Sequence, residues 1–192
     1  MHLKPVVFLT ANLMFFNVAL MAQSGMAGRY FTRGANISFF SNSPLEKIEA
    51  STNSGNCVLD LGSGKLEAAV LINSFNFKKA LMQEHFNENY MESAKFPKAV
   101  FKGILPNPRE LNLGKDGTYK TLLKGEMTIH GVTRSMETEV TFRVGDGKIF
   151  AETEFDVTVA DYNISIPALM RDNIAKIVRL KVKSELQELK KT

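Results

Sequence analysis

Residues 136–159 read METEVTFRVGDGKIFAETEFDVTV, two runs of alternating apolar and polar residues on either side of Gly145-Asp146-Gly147. Successive side chains of a β-strand point to opposite faces, so this alternation is typical of strands that bury one face. The Gly-Asp-Gly sequence accepts the positive φ angles of a tight turn. The stretch therefore predicts an antiparallel β-hairpin. Its inward-facing rows are Met136, Thr138, Val140, Phe142, Val144 and Ile149, Ala151, Thr153, Phe155, Val157, Val159.

The same alternation recurs along most of the chain. Leu123, Met127 and Ile129 form another apolar row, and Gly62-Ser63-Gly64 and Asp116-Gly117 mark further turns. About eight short strands joined by hairpin turns, without alternating helices, predict an all-β domain, either a barrel or a sandwich. The further predicted strands lie at residues 30–40, 56–61, 66–73, 99–104 and 174–186.

Residues 77–90 carry a helical pattern instead. They contain no Gly or Pro, and their apolar residues recur every four positions, which predicts an amphipathic helix of about three turns. Asn76 is predicted to cap this helix, and Pro97 stops it from continuing. Its two neighbouring stripes are Met82, Phe86, Tyr90 and Phe77, Leu81, His85.

Composition excludes several classes of protein. The chain has 192 residues and is 44% hydrophobic, which is enough for one domain with a buried core. Its 24 Lys and Arg against 20 Asp and Glu give a formal net charge of +4. The dense basic run includes Arg179, Lys181 and Lys183, which share one solvated strand face, so no nucleic-acid partner is predicted. The single cysteine, Cys57, excludes an intrachain disulfide, and no zinc-like spacing occurs, so no metal or cofactor is predicted.

The first 22 residues are typical of a secretory signal peptide. A short basic start is followed by an apolar run over residues 5–22 that ends at Ala22, a small residue suited to cleavage. The alternative is a retained membrane anchor, but three polar residues put the run at the lower limit for crossing a bilayer. We predict a signal peptide at 1–22 and one domain at 23–192. The mature protein is expected to be periplasmic or secreted, without a permanent membrane anchor.

An enzymatic interpretation would use His85 with Glu84, Glu88 or a partner such as His130, the minimum for acid-base catalysis. No nucleophile elbow, HExxH motif, phosphate-binding loop or dinucleotide fingerprint accompanies them. Solvation of the helix face accounts for the two glutamates, and packing at the helix edge accounts for His85. The prediction is therefore that the protein is not an enzyme.

A binding function is favoured by the apolar rows. A barrel of about eight strands is either just filled by its own side chains or able to hold one small ligand. A helix carrying Leu81, Met82 and Phe86 at one end could wall the mouth, and flexible Met side chains adapt to apolar ligands. A filled core would instead make the protein a ligand-free interaction or stress-response module.

Four stretches, in order and across nearly all of residues 28–186, resemble the YceI-like family of polyisoprenoid-binding proteins. The match looks closest to a branch with an HFNENYMES-type helix. The stretches are ANISFFSNSPLEKIE at 35–49, LMQEHFNENYMES at 81–93 with KFPKAVFKG at 95–103, GEMTIHGVT at 125–133, and DYNISIP at 161–167.

The resemblance implies an extended lipocalin-like barrel, export to a periplasm-like compartment, and an amphiphilic isoprenoid lipid inside the barrel. Many members carry an Arg-Asp-x-His-Leu pattern in the helix, where this chain keeps His85 but has Gln83 and Glu84 in place of the Arg-Asp pair. Many also carry a histidine in the first strand, whereas residues 33–36 here read RGAN. Head-group contacts that depend on those residues are not carried over.

We therefore predict a single antiparallel up-and-down barrel of about eight strands with one helix near residues 77–90. Its ligand is predicted to be an isoprenoid lipid of the quinone or polyprenol type, with His85 contacting the head group. The oligomeric state stays open, a homodimer included. The predicted lining residues are Phe75, Phe77, Leu81, Met82, Phe86, Phe101, Met127, Ile129, Phe142 and Phe155.

Overall fold

The computed structural model describes residues 28–189, and the predicted signal peptide lies outside them. Within that range the chain is mainly β-structure, as the alternation predicts. The strands are β1 (Arg29–Asn42), β2 (Lys47–Asp60), β3 (Lys65–Leu71), β4 (Asn76–Phe77), β5 (Lys98–Ile104), β6 (Gly117–Ile129), β7 (Val132–Gly145), β8 (Lys148–Thr158) and β9 (Ile177–Glu188). Helix α1 (Ala80–His85) continues as a π-helical turn, Phe86–Tyr90.

The sheet closes on itself as an antiparallel barrel. The described strands pair in the order β1-β9-β8-β7-β6-β5-β3-β2, and β2 returns to β1. Strand β4 only adds two residues to β2, so eight strands form the wall. The predicted all-β barrel is therefore confirmed over the sandwich. Within the described residues, no helix has the length and apolar character required to cross a membrane.

The hairpin predicted from residues 136–159 is confirmed in its turn and its inward rows. Asp146 and Gly147 take positive φ angles of 53° and 71°, and Val144 pairs with Ile149. Phe142 in the inward row is fully buried. On the outer face Arg179 of β9 lies 3.0 Å from Asp156 of β8, so the basic row is a solvated, ion-paired surface.

The predicted helix is wrong at its start. Asn76 and Phe77 pair with Ser51 and Ala50 as strand β4, so Asn76 does not cap the helix and Lys79 precedes it instead. The Phe77 N–H donates to Gln83 Oε1 at 3.3 Å, and the Phe77 ring packs 5.0 Å from that of Phe86. These tertiary contacts hold Phe77 in an extended conformation that its local sequence does not predict.

The two ends of the barrel differ in packing. At the packed end, the loop between β5 and β6 turns Leu105, Leu111 and Leu113 inward, where each is at most 2% exposed. They join Leu59 and Phe142, both completely buried, in one hydrophobic cluster. The open end carries the β1–β2 turn (43–46), helix α1, the β6–β7 turn (130–131) and the segment 159–176. Strand ends alone therefore do not close the barrel, and the loops decide which end is sealed.

Candidate functional site

An apolar cavity of about 310 Å³ lies inside the barrel and reaches the open end. All eight wall strands line it, together with α1 and the segment 159–176. Small residues also face inward: Ala151 and Ser184 pair across β8 and β9, and Ala68 lies on β3. Because these side chains are short, the wall does not fill the lumen.

Phe101 pairs with Ala68, and a glycine pair holds its ring against the wall. Gly103 and Gly125 pair across β5 and β6. A Cβ atom at Gly125 would lie 2.7 Å from Phe101 Cζ, so the ring covers the space that side chains would take there. The ring therefore extends along the strand towards the packed end and leaves the middle of the barrel open.

Four phenylalanines form an aromatic wall at the open end. Phe39 of β1 stacks on Phe86 at a centroid distance of 5.4 Å, and Phe75 and Phe77 pack against both. Their contacts join β1, β4 and the π-helical turn. The cluster fixes the helix beside the mouth, as a wall and not as a plug.

Residues 163–176 of the segment 159–176 cover the other side of the mouth. Its apolar side chains line the cavity, and its end is tied to β1 because the Ala175 N–H donates to Ser41 Oγ at 2.9 Å. The segment has no regular period in sequence, so its inward face could not be predicted. The side chains that it contributes are Ile164, Ile166, Met170 and Ile174.

The two threonine hydroxyls of the cavity wall satisfy each other and the backbone. The hydroxyls of Thr138 and Thr153 lie 2.9 Å apart, and Thr153 Oγ1 donates to the Glu139 carbonyl at 2.8 Å. Their hydrogen-bonding capacity is largely used within the wall, so the interior behaves as an apolar surface. At the mouth the cavity meets Ser41, Glu46 and His85, which are the polar groups nearest to solvent there.

His130 has a structural position outside the cavity wall. Its Nε2 lies 2.8 Å from Glu92 Oε2 and its Nδ1 lies 3.2 Å from the Tyr162 carbonyl oxygen. The ring also packs edge-on against Phe96 at 4.5 Å. His130 thus fastens the segment after the helix and the Tyr162 turn to the β6–β7 hairpin, and both its ring nitrogens are engaged there. Among residues 28–189, no group of three or more His, Cys, Asp or Glu side chains could hold a metal ion.

Ten of the eleven predicted site residues lie on the cavity wall, His85 among them. Leu81 does not: its side chain is 61% exposed. The predicted stripe of Phe77, Leu81 and His85 does not exist on one helix face, because Phe77 belongs to β4 and the helix begins at Ala80. The role of the ten cavity-lining residues as ligand contacts stays a prediction.

A row of apolar side chains on β9 also lines the cavity and was not among the predicted site residues. Val178, Leu180 and Val182 face the cavity, directly behind the basic row of the same strand. The alternation that identified the basic face would also have identified this row. Ile37 and Phe39 of β1 were missed in the same way.

Burial raises the pKa of the Cys57 thiol, which lines the cavity, to about 12. We expect the folded protein to resist alkylation by iodoacetate at neutral pH, because the thiolate is the reactive form. The protein unfolded in guanidinium should react fully, and mass spectrometry measures both. Rapid modification of the folded protein would contradict this assignment.

The same shift makes stability depend on pH. An unfolded thiol ionises near its ordinary value of 9.0, so between 9.0 and about 12 the unfolded state binds fewer protons than the folded state. The contribution of Cys57 to stability therefore falls as pH rises through that window. Denaturant unfolding of the wild type and of Cys57→Ala, at pH values on either side of 9.0, isolates the contribution of Cys57 to stability.

Comparisons with known proteins agree with this fold. The sequence model of the YceI-like domain matches residues 32–186. A polyisoprenoid-binding domain from Saccharophagus degradans, implicated in plant cell wall breakdown, superposes with a TM-score of 0.73 at 13% identity, covering 83% of this chain and 98% of that one. Burkholderia cenocepacia BcnA superposes with a TM-score of 0.64 at 15% identity, covering 80% and 96%.

A third solved structure is similar over a shorter span. The Campylobacter jejuni YceI protein superposes with a TM-score of 0.55 at 16% identity, covering 74% of this chain and 85% of that one. No curated protein is significantly similar in sequence. Because the domain match spans most of the residues in the barrel, as the sequence resemblance predicts, this chain belongs to the YceI-like family.

Proposed function

We propose that this protein binds an amphiphilic isoprenoid lipid, of the quinone or polyprenol type, and carries it in the barrel. The observation that supports the proposal is the apolar cavity of about 310 Å³ that runs inward from the open end. Each methylene group of a tail that leaves water for this cavity contributes about 0.8 kcal/mol. The solved relative from Saccharophagus degradans is itself described as polyisoprenoid-binding.

The ligand would lie with its tail towards the packed end and its head group at the mouth. The two threonine hydroxyls of the cavity wall are already hydrogen-bonded to each other and to the backbone, so they offer little to a polar head. At the mouth, His85 is the ring that can donate to or accept from a quinone or hydroxyl oxygen. Glu46, also at the mouth, lies 3.2 Å from Lys79 and is engaged by it.

Binding fits the site better than the two alternatives. A filled interaction module would lack the cavity. An acid-base enzyme that used His85 with Glu84 is not favoured, because Glu84 is exposed and His85 lines the cavity. His130 is engaged by Glu92 and the Tyr162 carbonyl.

Export to the periplasm or the medium is the second part of the proposal. It rests on the signal-like composition of residues 1–22. Cleavage after Ala22 would leave 170 of the 192 residues. The N-terminal sequence of the protein recovered from its host tests this part separately from lipid binding.

Native mass spectrometry of protein purified from a membrane-bearing host, followed by solvent extraction, tests the binding part. We expect one lipid per protein, which extraction releases as an isoprenoid. A bare protein mass, together with no uptake of added quinone or polyprenol, would refute lipid carriage. Retention of a straight-chain fatty acid in place of an isoprenoid would refute the ligand class.

A further inference from the structure

The open end of the barrel presents three exposed leucines, on three of the segments that surround the mouth. Leu45 of the β1–β2 turn is 69% exposed, Leu81 of α1 is 61% exposed, and Leu169 of the segment 159–176 is 94% exposed. Each leucine directly precedes a residue that lines the cavity: Glu46, Met82 and Met170 in turn. We call these three leucines the leucine rim. The rim therefore surrounds the route by which any cargo enters.

The opposite end has no such apolar tips among its hairpin turns. Its turns read Gly62-Ser63-Gly64, Asp116-Gly117 and Asp146-Gly147. The turns at both ends of the barrel are exposed to solvent, but only those at the open end carry leucines at their tips. Exposure of a turn therefore does not by itself explain the leucines. Exposed leucines on convex tips cost free energy in water, and the three most exposed leucines of the described residues all lie around the mouth.

Charge around the rim is close to balanced. Lys47, Lys78, Lys79, Arg171 and Lys176 lie in or beside the three segments, with Glu46, Glu49, Glu84, Asp161 and Asp172. Lys79 pairs with Glu46 at 3.2 Å and Lys78 with Glu49 at 3.7 Å. Attachment through this end would therefore depend mainly on the leucines, with basic side chains nearby for lipid phosphates.

We propose that the open end docks on a lipid bilayer, with the leucine rim inserted among the head groups and upper acyl chains. The identity of the cargo rests on the proposed function, but docking itself needs no cargo. A bilayer is the partner that fits, because separate apolar tips around a mouth insert into a fluid surface. An isoprenoid tail could then pass from bilayer to cavity without crossing water.

A polarity-sensitive nitrobenzoxadiazole dye at the rim tests docking site by site. Leu169→Cys and the control Leu122→Cys are labelled in the full-length chain with Cys57→Ala. Leu122 is 46% exposed on the outer wall of β6. With vesicles of phosphatidylcholine and phosphatidylglycerol, we expect a several-fold rise in emission for the dye at 169 and no change at 122. Equal responses at both positions, or none at 169, would overturn the proposal.

Affinity for the same vesicles gives a second test. Leu45→Ser with Leu169→Ser should weaken binding about a hundredfold, roughly tenfold per leucine. The matched control, Leu122→Ser with Phe150→Ser, removes two exposed apolar side chains from the outer wall and should leave binding unchanged. All variants share residues 1–27, so any contribution of that segment is common to them. A rim variant that binds as tightly as the control would contradict docking.

The docking proposal and the proposed lipid-binding function can be refuted independently. A dye response at 169 in protein that never takes up an isoprenoid would leave docking intact and refute the proposed function. Isoprenoid uptake without a dye response would support the proposed function and refute docking.

Discussion

Replacing Phe142 by alanine should lower the free energy of unfolding by about 3–5 kcal/mol. Phe142 is completely buried at the floor of the cavity, in the cluster with Leu59 and Leu105. The neighbours on that side are held by the β5–β6 loop, so they cannot collapse into the space that the ring leaves. Guanidinium unfolding measures the loss.

The contrast is Phe155→Ala, on the cavity wall nearer the open end. Phe155 is only partly buried because its ring borders the cavity, so its removal should cost about half as much or less. Phe150→Ala, on the outer wall of the same strand, is the control for loss of strand propensity. Equal losses at Phe142 and Phe155 would mean that the barrel is filled at both levels.

The strands were predictable because burial of one face makes apolar and polar residues alternate along the sequence. In residues 136–159 the inward rows and the turn at Asp146 follow from alternation and turn chemistry. The basic row of β9 was predicted as solvated for the same reason, and it lies opposite the acidic residues of β8.

The start of the helix was not predictable from local sequence. Phe77 fits a helical stripe, but its pairing with Ala50 and its contact with Phe86 are long-range. Helical periodicity in the short stretch before Ala80 is a weaker preference than burial of an aromatic ring among three others. Leu81 was assigned to the wrong face as a consequence.

The hollow interior could not be predicted either. Ala151 and Ser184 are ordinary strand residues until the register brings them side by side on the cavity wall. The covering of the mouth by Ile164 and Met170 depends on the path of a segment without periodicity. Cavity volume is set by tertiary register and loop path, which composition does not encode.

Filling that space should remove ligand binding without unfolding the protein. Ser184→Phe puts a ring into the cavity, where it displaces about four methylene equivalents of the lipid tail. At about 0.8 kcal/mol each, the loss is roughly 3 kcal/mol, or about a hundredfold in affinity for an isoprenoid quinone. Uptake of the quinone followed by solvent extraction measures this loss of affinity. Glu185→Phe, the next residue on the outer face of β9, is the matched control and should bind normally.

The stability of the same pair of variants separates a hollow barrel from a filled one. A ring added to an empty cavity gains contacts and displaces no side chain, so Ser184→Phe should unfold at the wild-type denaturant concentration or above it. In a filled barrel the same ring would force its neighbours off their rotamers and cost about 1–3 kcal/mol. Loss of binding with unchanged stability therefore identifies the cavity as the binding site. Loss of both would place Ser184 in a packed core and remove the physical basis for a lipid in the barrel.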